Sequence, residues 1–193
     1  MAKAKKPALE KLTPSASELI LQAYEQILTR FARLDAFASV STLPSLSDVA
    51  DRQVQLSQED LVVFAIYLRH AVENAGIYKE MRKRTFNAFY ADGLRLVSIV
   101  DVLNVIIHHR FLEVIRRESD FKRGMLNDDK GMLEFMENYR KGVAPSVVVM
   151  SDKGDMVAFR LAKFLDAVAD QIIEPLVEYC QDRGLYLEYV YRV

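Results

Sequence analysis

An aspartate, an asparagine and a histidine stand at positions 101, 104 and 108, inside a stretch that is otherwise apolar. Steps of three, four and seven residues return to nearly the same angle on an α-helix, so Asp101, Asn104 and His108 form one polar column. A carboxylate in line with an imidazole is half of a metal site, or a general base with its orienting acid. His70 and Glu73, at i and i+3 on a second apolar segment, are the candidate other half. Di-iron helical bundles use Glu then His at that spacing, in two copies and with further glutamates. Here the order is reversed and there is one copy. The column therefore reads first as a hydrogen-bonded seam that sets helix register or faces a partner, and second as the site of a metal-dependent enzyme. His109 lies about 100° round the helix from His108, so the two cannot chelate one ion. Its i,i+4 spacing to Glu113 is that of a surface pair.

Three histidines and one cysteine are too few for a closed zinc site, so no metal or cofactor is expected. No glycine-rich phosphate loop, nucleophile elbow or His-Glu-x-x-His helix is present, and nothing points positively to an enzyme.

Two other groups of residues carry a recognition chemistry. Lys79, Arg82, Lys83 and Arg84 are interleaved with Tyr78, Phe86, Phe89 and Tyr90. Cations there would pair with phosphates while exposed rings stack on bases. Arg116 and Arg117, with Lys122 and Arg123, form a second basic cluster diluted by Glu118 and Asp120. The plainer reading is a solvated helix end, with basic residues placed by the helix dipole and the rings in the core. At the C-terminal end Leu185, Leu187, Tyr189, Tyr191 and Val193 alternate with polar positions, as a strand does. Tyr186, Tyr189 and Tyr191 make that strand a candidate for pairing across a subunit boundary; an internal strand is the simpler alternative.

These residues need elements to hold them. Thr13-Pro14 is a cap followed by a proline at the first helical position, and Leu19, Ile20, Ala23, Ile27, Phe31 and Leu34 continue at helical spacing to about residue 37. Residues 38–56 read as a linker with one short helix near 48–53. Ser57-Gln-Glu-Asp60 resembles a capping box, ahead of a helix with Leu61, Ala65, Leu68, Val72 and Ala75 on one stripe and Val63, Ile66 and Tyr67 on another face. A break at 91–93 precedes a long helix over 94–117, with Leu96, Val100, Leu103, Ile107, Phe111 and Val114 on its main face. Met132, Phe135, Met136 and Tyr139 predict a short helix ended by Gly142. Val147–Val149 reads as a strand. Ser151-Asp152 then caps a long helix that Pro175 kinks and Gly184 ends. With the tail strand this predicts strand–helix–strand over 145–193, in preference to a hairpin across 151–155.

The totals agree with that outline. A 193-residue chain, 51% apolar and 27% charged, is of a size and composition for one folded domain. Only seven glycines and five prolines exclude a turn-rich all-β fold. A net charge of −1 gives no general attraction for polyanions or anionic lipid, so nucleic-acid contact would need a local patch. The lone Cys180 reads as a buried thiol. Residues 1–12 read as a flexible basic arm, without the apolar run of a signal peptide, and no stretch is long enough to span a membrane. The expectation is a mainly α, single-domain bundle of five or six helices over 13–193, with a small two-stranded element near the C-terminus. It is expected to act in the cytoplasm as a subunit or adaptor through a protein partner or homo-oligomer.

Overall fold

The structure, a computed structural model, describes residues 10–39, 47–86, 90–91, 97–115, 145–151 and 156–190. The chain is mainly α-helical. Its described elements run α1 (Pro14–Ser39), α2 (Ser47–Asn74), α3 (Tyr78–Met81), β1 (Thr85–Phe86), β2 (Tyr90–Ala91), β3 (Val97–Ser98), α4 (Ile99–Ile107), β4 (His109–Ile115), β5 (Ser146–Ser151), β6 (Met156–Arg160), α5 (Leu161–Val168) and, beyond a π-helical turn at Ala169–Ile173, α6 (Glu174–Gln181).

Helix α1 begins as its sequence dictates. The Thr13 hydroxyl accepts from the Ala16 amide at 3.3 Å, and Pro14 needs no acceptor at the first position. Ile20, Ala23, Ile27, Phe31 and Leu34 are buried, while Leu19 falls off the stripe and is exposed. Along its side lies α2, which starts at Ser47 and absorbs both the short helix near 48–53 and most of the expected linker. Ser57 does not cap it. The Ser57 hydroxyl donates instead to the Gln53 carbonyl at 2.8 Å, the usual mid-helix solution for a buried serine. Leu61, Ala65, Leu68, Val72 and Ala75 are all in the core, as predicted.

Two glycines stop helices by the same device. Gly76 (φ 76°) and Gly184 (φ 84°) adopt the left-handed conformation. At each, the next amide reaches back five residues: Ile77 to the Val72 carbonyl at 3.1 Å, and Leu185 to the Cys180 carbonyl at 3.0 Å.

The expected long helix over 94–117 is broken. It survives as α4, ends at His108, and the chain turns directly into β4. The apolar residues 111, 112, 114 and 115 suit either a helix or a strand by spacing alone. A waiting partner strand decides for β, since β4 pairs antiparallel with β5 (Leu112 opposite Val149, Val114 opposite Val147). His109 and Glu113 therefore belong to a strand, where backbone positions four apart are roughly 13 Å apart, and not to the helix that i,i+4 spacing requires.

The two-stranded element near the C-terminus is an antiparallel hairpin of β5 and β6, with Val147 opposite Phe159 and Val149 opposite Val157. The sheet is wider than the pair, in the order β2-β6-β5-β4, with a separate β1–β3 pair. This overturns the strand–helix–strand reading, whose long helix began at residue 151: residues 156–160 are strand and the helix starts at Leu161. Val157, Leu161, Phe164, Leu165 and Val168 fit helical spacing, yet hydrogen bonding to β5 outweighs local pattern over 156–160. Val147, Val148 and Val149 are all buried, so β5 is covered on both faces, which explains a continuous β-branched run in place of alternation. Phe159 and Phe164 stack at 5.0 Å between ring centres, and Phe86 meets Phe159 edge-on at 5.9 Å.

Pro175 perturbs its helix through the wider π turn that precedes it. The Glu174 amide reaches the Ala169 carbonyl, five residues back. Proline has no amide to donate to the Gln171 carbonyl, and the wider turn takes up the mismatch. After Gly184 the predicted strand does not form over the described residues 185–190. Among the described residues 185–190 it has no ladder partner, although its odd-in, even-out alternation is kept: Leu187 is buried, Tyr186 and Glu188 exposed. The predicted helix at 132–139 lies outside the described residues, as do 1–9 of the basic arm.

A polar seam between α2 and α4 as the candidate functional site

Helix α4 presents its polar column because Ser98 starts it in the right phase. The Ser98 hydroxyl accepts from the Asp101 amide at 3.1 Å and donates to the Asp101 carboxylate at 2.8 Å. A carboxylate in the first turn also suits the positive end of the helix dipole. Ile99, Val100, Val102, Leu103 and Ile106 take the core faces, which leaves Asp101 and Asn104 half-buried and His108 exposed at the helix end.

Arg69 of α2 is the hub that meets this column. Its Nη1 donates to the Asn104 side-chain carbonyl at 2.8 Å and lies 3.4 Å from Nε2 of His108. Its Nε donates to Glu73 at 2.8 Å. The Asn104 amide nitrogen donates to the Tyr78 hydroxyl at 3.1 Å, and the guanidinium lies 5.9 Å from the centre of the same ring. Arg69 thus has a carboxylate, an amide, an imidazole and a ring around one planar cation, the geometry that guanidinium satisfies and ammonium does not.

Of the residues chosen from sequence, Asn104, His108 and Glu73 converge on Arg69. Asp101 lies one turn earlier and pairs with Arg82 at 3.5 Å. His70 stands apart: it is exposed, its ring is edge-on to Tyr67 at 6.3 Å, and its carbonyl accepts from Asn74. Among the described residues no three His, Cys, Asp or Glu side chains are grouped to hold a metal ion. Asp101 and Glu73 each face an arginine, Arg82 and Arg69. Chemically, the arrangement joins α2, α3 and α4 in one register. Arg69 escaped the sequence reading, although its i,i+4 spacing to Glu73 was the available signal.

The basic segment is exposed at Lys79, Arg82, Lys83 and Arg84, on and just after α3. Its rings are not available for stacking in the same measure. Phe86 is in the aromatic core and Tyr78 is in the seam; the side chains of Phe89 and Tyr90, and all of Arg116 and Arg117, lie outside the described residues. Among the candidate interface tyrosines, Tyr186 is 82% exposed and Tyr189 half-buried; Tyr191 is outside the described residues.

Tyr189 and Val190 line an open groove of about 450 Å³ with Leu28, Phe31, Ala32 and Ala36 of α1, edged by Asp35 and Ser39. The second face of α2 is not a comparable surface: Val62 and Tyr67 pack against the core, and no large apolar residue of 61–68 is exposed. Among the described residues no helix is long and apolar enough to cross a membrane. Compared with protein-family models, with curated proteins and with solved structures, the chain matches none.

Proposed function

We propose that this chain is a non-enzymatic helical subunit or adaptor of a larger cytoplasmic assembly, acting through protein–protein contacts with a partner or a second copy. The observation that supports it is the apolar groove along α1, with Leu28, Phe31, Ala32 and Ala36 on one wall and Tyr189 and Val190 on the other. Concave apolar surface with a polar edge is what recognition sites use, and removing it from water favours association. The seam at Arg69 argues in the same direction, because its charged groups are spent on one another rather than left for a substrate. The test is the mass of the purified chain over a dilution series, together with capture from its own lysate, each repeated with Ala32→Glu. A partner or second copy lost in the folded A32E variant supports the proposal. A dilution-stable monomer that retains nothing overturns it.

A second reading is a nucleic-acid-contacting accessory role. Lys79, Lys83 and Arg84 are exposed together beside Arg82, which Asp101 partly neutralises. Such binding would be strongly salt-dependent and would collapse when Arg82, Lys83 and Arg84 are replaced by alanine. Binding unchanged by the triple substitution removes this reading.

A further inference from the structure

The groove beside α1 has a length, a firmness and a charge that together select one occupant. Leu28, Ala32 and Ala36 recur at steps of four and share one face of the helix. From Leu28 to Ser39 that wall is roughly 16 Å long, about three helical turns. Ala32 and Ala36 are exposed and end at Cβ, so a second helix can approach α1 closely there, with larger side chains over the two alanines. Leu21, one heptad before Leu28 and 43% exposed, continues the apolar line. The opposite wall is fixed in advance. Leu185, Tyr189 and Val190 pack against the core, and Leu187 is buried. The Glu188 carbonyl accepts from the Tyr24 hydroxyl, and the Leu187 carbonyl from Gln181 at 3.1 Å. A groove built before its ligand arrives loses little to ordering.

Its edges are acidic. Asp35 belongs to the lining, which includes no basic residue. Glu25 precedes Leu28 by three positions, and Glu188 is next to Tyr189 on the other wall. Both are exposed, and among the described residues neither carboxylate is in an ion pair. Two copies meeting through this face would set acidic edge against acidic edge, since a two-fold contact uses the same patch twice. A nucleic acid or an anionic lipid surface is repelled by the same charges. An apolar stripe flanked by lysine or arginine matches both the lining and the edges.

We infer that the groove takes a cationic amphipathic helix of a partner protein, its apolar stripe along Leu28, Ala32 and Ala36 and its basic flanks against Glu25 and Glu188. This rests on the proposed adaptor function and names the partner's chemistry. The probe is a fluorescein-labelled peptide of leucine and lysine in amphipathic order, about four helical turns long, titrated with the full chain and read by anisotropy. A scrambled peptide of the same composition and one with glutamate in place of lysine are the controls. The amphipathic cationic peptide is expected to bind about tenfold more tightly than either. Ala32→Gln fills the groove without changing its charge, and Glu25→Lys with Glu188→Lys reverses its edges; each is expected to weaken binding about tenfold. Glu174→Lys with Glu178→Lys makes the same charge change on exposed positions of α6 that do not line the groove. At physiological salt that pair is expected to leave the affinity within about twofold, because distant charges are screened. Equal binding of either control peptide, an equal loss from the α6 pair, or no binding tighter than about 1 mM overturns the inference. If the peptide fails while capture from lysate stays sensitive to Ala32→Glu, the adaptor function stands and the partner's chemistry falls; if both fail, the groove is not a recognition site. The comparison among the three peptides uses the unaltered chain and stands even if a variant fails to fold.

Discussion

Arg69 shows how one side chain converts a suspicious polar column into a structural joint. Its partners come from three elements, so its loss leaves the Asn104 carbonyl half-buried and short of a donor. Arg69→Met is expected to cost about 1–2 kcal/mol, discounted for the cation's partial exposure, and His108→Gln, at the exposed end, clearly less; urea midpoints measure both. Cys180 gives a pH prediction. Its folded pKa is raised above the roughly 8.5 of an unfolded thiol. The protonated thiol therefore contributes its stability in full below pH 8.5, and the contribution is lost as pH rises toward about 11, because the unfolded chain ionises first. Denaturation curves at pH 8 and pH 10.5 are expected to show a smaller alkaline loss for Cys180→Ala than for the wild type. An equal loss in both would contradict the burial assigned to this thiol.

Among the elements, the helix ends at Thr13 and Gly184 were readable because their chemistry is local, and Gly76 works by the same chemistry as Gly184. The cap at Thr13 and the stops at Gly76 and Gly184 use residues within six positions of one another. No atom lies within 4 Å of where a Cβ would stand at either glycine, so the cost of substitution is conformational alone. Gly76→Ala and Gly184→Ala are each expected to lose about 1 kcal/mol, and Ser98→Ala a similar amount through the lost cap of α4. Thermal melts separate these from Gly→Ala changes in flexible loops, which move stability little. The strands were where the reading went astray. Residues 109–115 and 156–160 satisfy helical spacing, and each becomes a strand through its pairing with β5, whose own Val147–Val149 run was recognised.

At the scale of the whole molecule, one continuous core joins the helices to one another and to the sheet. Phe31 and Phe64 tie α1 to α2 (ring centres 6.0 Å apart), and Phe86, Phe159 and Phe164 bind the hairpin to α5. Phe159→Ala removes one ring of this three-ring cluster and is expected to cost about 3–5 kcal/mol, a large fraction of the roughly 5–15 kcal/mol that holds a domain folded, read as a lower urea midpoint.

The amino-acid sequence by itself determined the mainly helical class, the core stripes of α1 and α2, the cap at Thr13 and the stop at Gly184, and the shared face of Asp101, Asn104 and His108. All of these follow from interactions between residues close in the chain, which periodicity and residue type express. The tertiary structure alone decided that Arg69 meets Asn104 across 35 positions, that His70 stays outside the seam, that residues 99–115 divide into helix and strand, and that the Tyr24 hydroxyl bonds the Glu188 carbonyl. Each is a contact between distant segments, where the free energy of pairing or burial exceeds local preference, and no spacing rule along one segment contains it.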